Sequence, residues 1–139
     1  MLSKKIIYSW IAGSILMFGL SYLWHGVVLN DFDKISYSPK IFLSFLSLLY
    51  IIIGGLLAFC YSLVADKKHV FLRGILLGVA AGFIIFLIIF VLGSSFKVGQ
   101  INSLHATLDL IWQLIEQGAA GMAIAYVYHY IEQREILFN

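Results

Sequence analysis

The chain is poor in charge and poor in the residues that staple or punctuate a soluble fold. Charged side chains make up 12% of its 139 residues, against roughly 25% in an ordinary globular domain. Nine basic and seven acidic residues leave a net charge of +2, too little to hold a polyanion, so a nucleic-acid partner is excluded. The single cysteine, Cys60, excludes an intramolecular disulfide and any Cys-x-x-Cys thiol chemistry. The single proline, Pro39, stands between two apolar segments, where it marks a helix boundary and spares the helix interiors. No phosphate-binding glycine loop, nucleophile elbow or Ser-His-Asp spacing occurs, and no catalytic residue set emerges.

What is abundant is hydrocarbon. Hydrophobic residues reach 62%, and a chain this short buries the smallest fraction of its surface on folding. Water is therefore the wrong solvent for most of it, and lipid is the expected one. A bilayer core about 30 Å thick needs about 20 apolar residues per helix. Four segments are predicted to cross it, at about 6–28, 41–64, 71–92 and 104–130. The reading is an all-α, multi-pass integral membrane protein. It is a single domain over residues 1–139, a four-helix transmembrane bundle whose short loops make consecutive helices antiparallel neighbours. The apolar run after Lys4 and Lys5 is too long for a signal-peptide core and is read as retained.

Basic residues set the orientation. Lys4, Lys5, Lys67, Lys68, Arg73 and Arg134 fall on one side, and Lys34, Lys40 and Lys97 on the other. This places both termini in the cytoplasm and the protein in the inner (plasma) membrane. Tyr8, Trp10, Tyr61, Tyr126, Tyr128 and Tyr130 are expected at the inner interface, and Tyr22, Trp24, Tyr37 and Phe96 at the outer one. His69 and His129 read as solvated residues at the cytoplasmic rim.

The third segment carries Gly74, Gly78 and Gly82 at spacings of four, a ridge that lets another backbone approach closely. It serves either as a seam between two copies in a homo-oligomer or as a contact inside one chain. Gly54, Gly55 and Ala58 on the second segment are the candidate internal partner.

The fourth segment is the unusual one, because ionisable residues inside a membrane are costly and point to function. At 100° per residue, His105, Asp109, Trp112, Gln113 and Glu116 share an arc of about 100°, with Gln117 at its edge. Ile111, Leu114, Ile115, Met122 and Ala125 form the opposite face. Glu116 lies about 18 Å from the helix start, near mid-bilayer. Below it, Ala119, Ala120 and Ala123 allow tight closure. Ser14, Phe18, Ser21 and His25 form a matching stripe on the first segment. Ser44, Ser47 and Tyr50 enter on the second, with Tyr50 at the depth of Glu116. The pattern predicts a polar pocket open to the outside and shut toward the cytoplasm. It would bind a small polar solute or cation, as a carrier, channel subunit or sensor. Glu116 would be the deep protonatable group, Asp109, His105 and His25 the mouth, and Gln113 and Gln117 the orienting amides. A protonated Glu116 bonded to Gln113, Gln117 or Tyr50 as interhelical glue fits the same pattern.

Two other functions fit the residues. His105 and Asp109, four apart on one face, could join His25 and Asp31 as metal ligands. His25 and His105 could instead hold a haem. Either would make a membrane enzyme or electron-transfer subunit. The other is a structural or accessory subunit docking through its polar helix.

The run Gly19-Leu-Ser-Tyr-Leu-Trp24-His25-Gly26, with Leu108-Asp109, Gly118, Gly121 and Tyr126, resembles a family of small four-helix bacterial membrane proteins of unknown function. In that family a Gly-rich turn precedes a Trp-Tyr-Gly-type motif; here His25 stands where the family tends to have Tyr. The resemblance implies topology and no chemistry.

Overall fold

A computed structural model describes residues 3–30, 38–95 and 103–137. Among these the chain is helical, with no strand. Four α-helices run in order: α1 Lys4–Ser21, α2 Pro39–Val64, α3 Val70–Ser95 and α4 Ser103–Leu137. A π-helical stretch, Tyr22–Val28, continues α1 directly. There Leu29 N–H reaches back to Trp24 O at 2.9 Å, a five-residue step. Asn30 then leaves the helix at φ 50°, a left-handed conformation that asparagine tolerates. Pro39 sits in the first turn of α2, where its missing N–H would have no helical partner anyway. Arg73 at the start of α3 donates to Val64 O at 2.8 Å, which satisfies a terminal carbonyl of α2, and pairs with Asp66 at 2.8 Å.

Three helices, over Lys4–Val28, Pro39–Val64 and Val70–Leu92, are long and apolar enough to cross a bilayer. The fourth expected span falls outside that set. Its helix is the longest at 35 residues, about 52 Å at 1.5 Å per residue. The polar residues that made 104–130 interesting also dilute its apolar character.

Neighbouring contacts show an up-and-down arrangement. Lys5 meets Glu132 and Trp24 meets Trp112, so α1 and α4 are antiparallel. Tyr61 meets His129 and Tyr50 lies by Glu116, so α2 runs in the same direction as α4. The short connections do not make all consecutive helices close neighbours. α4 packs extensively on α3 and on α1, and α2 packs on α1, whereas α2 and α3 touch only slightly.

The glycine ridge explains the α3–α4 contact. Gly74 lies against Gly121 and Ala125, Gly78 against the Gln117 carbonyl and Gly118, and Gly82 against the Gln113 carbonyl. The ridge is thus used inside the chain, and its partner is α4. The expected partner, Gly54 and Gly55, faces α1 instead: Gly54 receives Ser14 and Met17, and Gly55 receives the Trp10 ring. That indole donates to Ile51 O at 2.6 Å. Ala125, expected on the outward face of α4, is fully buried against Gly74. On the lateral surface of the α3–α4 pair, Ile75, Val79, Leu114, Ile115, Gly118, Ala119 and Met122 line an open apolar groove.

Burial is inverted relative to a soluble protein. Ser9, Ser14, Ser21, Glu116, Gln117 and His129 are buried, while rows of Ile, Leu, Val and Phe on α1, α2 and α3 are exposed. The apolar core that exists is small: Met17, Leu57, Ala58, Ala120, Ile124 and Ala125, with Tyr50, Tyr61 and Tyr128 around it.

A methyl group at Gly78 would meet the Gln117 backbone, which cannot swing aside, whereas one at Gly19 meets nothing within 4 Å. Gly78→Ala should destabilise the bundle by about 1–3 kcal/mol or more. Gly19→Ala should be neutral or stabilising by about 0.5–1 kcal/mol. Thermal unfolding followed by circular dichroism in detergent separates them; equal melting would contradict the close approach.

Candidate functional site

Glu116 is held where three helices meet. It is 1% exposed, and every partner is neutral. Trp112 Nε1, one turn toward the Ser103 end, donates to Oε2 at 3.2 Å. Gln117 Nε2 donates to Oε1 at 3.3 Å. The Tyr50 hydroxyl of α2 lies beside the carboxyl and beside Ser21 of α1. The helices supply these groups through small neighbours. Gly78 and Gly82 let α4 bring Gln117 to the centre. Ser21, 1% exposed, is small enough to fit at the α1–α2 contact.

The carboxyl is closed on both sides. Toward the Ser103 end, Trp112 stacks on Trp24 with ring centroids 4.5 Å apart and planes 9° from parallel. Toward the other end lie Met17, Ala120 and Ile124, all 0% exposed. The expected pocket open to the outside is therefore an enclosed polar centre among the described residues. Three buried polar atoms there and nearby have no hydrogen-bond partner: Gln117 Oε1, Ser14 Oγ and Trp24 Nε1.

The expected site residues divide into two groups. Glu116, Gln117 and Tyr50 come together. Gln113 is half-buried, and its carbonyl faces Gly82. His105 and Asp109 are exposed, and His25 is half-buried on the π-helical stretch. Among the described residues no three His, Cys, Asp or Glu side chains gather to hold a metal. His25, His105 and Asp109 are thus not assembled as a ligand set, and Asp31 lies outside the described residues. Ser44 and Ser47 bond back to Lys40 O and Ser44 O of their own helix and stay out of the site.

Sequence reasoning missed two features. Trp24 is not only an interface anchor but one wall of the centre. The α-helical arc that pointed His25 inward assumed 100° per residue, and the π-helical stretch winds more widely. The second is a polar cluster where the N-terminus of α1 meets the C-terminus of α4. His129, expected to be solvated, is 8% exposed. Its Nε2 lies 3.1 Å from the Tyr61 hydroxyl and its Nδ1 3.2 Å from Glu132 Oε2. Lys5 Nζ donates to Glu132 Oε1 at 2.8 Å and sits 4.7 Å from the centre of the Tyr128 ring. Tyr61 and Tyr128, expected at an interface, are core residues at 0% and 5% exposure. The i, i+3 spacing of His129 and Glu132 was the available signal. Tyr8, Tyr126 and Tyr130 are exposed.

No protein-family model, curated protein or solved structure matches the chain.

The Lys5 ammonium bonded to Glu132 holds that carboxyl below its ordinary value of 4.5. A carboxyl lowered in the native state contributes its stability in full above the unfolded value. It loses that stability as pH falls through the native one. Glu132→Gln should therefore remove part of the stability lost below pH about 4.5. Melting temperature against pH in detergent checks this, and an unchanged acid limb would count against the clamp.

Proposed function

We propose that the chain is a multi-pass integral membrane protein in which all four helices cross the bilayer. Both termini lie in the cytoplasm, and the Glu116 centre takes a small polar solute or cation. The protein works as a carrier, channel subunit or sensor in the plasma membrane. The inversion of burial supports the membrane setting: apolar side chains outside and polar ones inside suit a solvent of lipid. α4 crosses despite its polar residues because Glu116 and Gln117 face protein, while Ile111, Ile115 and Met122 face outward. A homo-oligomer would be built on the apolar faces of α2 and α3, since the glycine ridge is occupied.

The observation that carries the functional reading is the lack of a countercharge. All nine Lys and Arg lie near the ends of the apolar segments or between them, and the partners of Glu116 are neutral. An unpaired carboxylate at that depth costs about 3 kcal/mol on insertion scales. It is neutralised either by a proton or by a cation from outside the chain. Exchange between the two is what a proton-coupled carrier requires.

A second reading has its own support. Trp112 and Gln117 hydrogen-bond Glu116 and the Tyr50 hydroxyl of α2 lies beside it, so a protonated Glu116 would also serve as a fastener between α2 and α4. Proton flux into proteoliposomes loaded with a pH-sensitive dye, driven by an imposed membrane potential, separates the two. Glu116→Gln should cut the flux at least tenfold while helix content persists, and Glu116→Asp should retain part of it. Wild-type flux in both Glu116→Gln and Glu116→Ala would leave the fastener.

A further inference from the structure

We propose that His129 is a two-state proton switch that decides whether the Tyr61 hydroxyl is donated to α3 or to α4. The inference is independent of the Glu116 centre, from which about 20 Å of α4 separates it.

The joint lies where the start of α1, the end of α2, the start of α3 and the end of α4 meet. His129 Nδ1 is 3.2 Å from Glu132 Oε2, and its Nε2 is 3.1 Å from the Tyr61 hydroxyl. That hydroxyl is also 3.3 Å from the Val70 carbonyl at the start of α3. Each contact needs one hydrogen, and two of the groups can only accept. One is the Val70 carbonyl. The other is Glu132, kept ionised by the Lys5 ammonium on its Oε1 at 2.8 Å. Nδ1 therefore carries a hydrogen toward Glu132 whatever the state of the ring. The Tyr61 hydroxyl has one hydrogen to give. When it goes to Val70, Nε2 must carry a second ring hydrogen and donate to the Tyr61 oxygen. Only the imidazolium makes all three contacts. In the neutral ring Nε2 is bare and takes the Tyr61 hydrogen, and Val70 loses it.

Water does not substitute at the hydroxyl, because Tyr61 is 0% exposed; His129, at 8%, keeps a narrow opening for the proton. The Tyr61 and Tyr128 rings stand edge-on to the imidazole, with centroids 6.1 and 5.6 Å away. Within α3 the Val70 carbonyl also accepts the Gly74 N–H by the ordinary helical step, so the exchange leaves no bare oxygen. Lys5 of α1 faces the joint, paired with Glu132 of α4, and Tyr128 lies beside them. Asp66, Lys67 and Arg73 face it from the α2–α3 connection and α3, with Arg73 paired to Asp66. Of these residue types, histidine is the one whose charge ordinarily changes near neutral pH. α2 and α3 otherwise touch only slightly, through contacts that include the Arg73 bond to Val64 O. Acid thus joins the end of α2 to the start of α3, and alkali frees them.

The test is nuclear magnetic resonance of the full chain in detergent, labelled with ¹⁵N in histidine rings and ¹³C in valine carbonyls, from about pH 5 to about pH 9. His129→Gln and Val70→Ile assign the signals. The Val70 carbonyl should shift with the same midpoint as the His129 ring, and the neutral ring should be the Nδ1–H tautomer. In Tyr61→Phe the carbonyl shift should vanish while His129 still titrates. A Val70 carbonyl that stays constant through the His129 titration, a neutral ring of the Nε2–H tautomer, or an unaltered carbonyl shift in Tyr61→Phe would overturn the proposal. So would a ring that keeps one protonation state across the range. The wild-type titration decides even where a variant fails to fold.

Discussion

The structure depends on one constraint: a carboxyl in the middle of a helical bundle with no basic side chain paired to it among the described residues. Removing a charge from water is expensive, and the chain lowers that expense with neutral donors only. Tyr50, Trp112 and Gln117 converge on Glu116 from two helices. Their convergence sets how α1, α2 and α4 are arranged at that level. Ser21 fits beneath Tyr50, and the Trp24–Trp112 stack covers the centre toward the Ser103 end. The basic residues remain outside the helix middles.

A second requirement is close approach. The Gln117 side chain reaches the centre because α3 presents Gly78 and Gly82 to the α4 backbone, so glycine packing and polar burial are one design. The apolar core is confined to a plug of Met17, Leu57, Ala120 and Ile124 between two polar levels. Glu116 lies at one, and Lys5, Glu132, His129 and Tyr61 at the other. About 20 Å of α4 separates Glu116 from His129. Helices that share so little apolar surface inside, and expose so much outside, suit an apolar surrounding phase.

Much of this was legible in the sequence, and the failures have physical causes. Segments at 6–28, 41–64 and 71–92 follow from run length and composition, and the helices match them closely. The burial of Glu116 and its meeting with Tyr50 follow from depth counting along two helices that enter from the same side. The glycine ridge was visible, but a ridge does not name its partner. Gly118 and Gly121 on α4 were the complement, and their spacing was obscured by the polar residues around them. Periodicity failed at Tyr22–Val28, because a π-helical stretch leaves no clear mark in residue pattern and breaks the assumed arc. The burial of His129 was missed because it depends on Tyr61 and Glu132 arriving from two different places in the chain.

The most direct test of the central claim is infrared spectroscopy of the protein in lipid, with the Glu116 carboxyl assigned by difference from Glu116→Gln. Enclosure by neutral donors requires a narrow carboxyl band that exchanges slowly with deuterated solvent and shifts when Tyr50 is replaced by Phe. A broad, rapidly exchanging band that ignores Tyr50→Phe would show a solvated carboxyl and contradict the account.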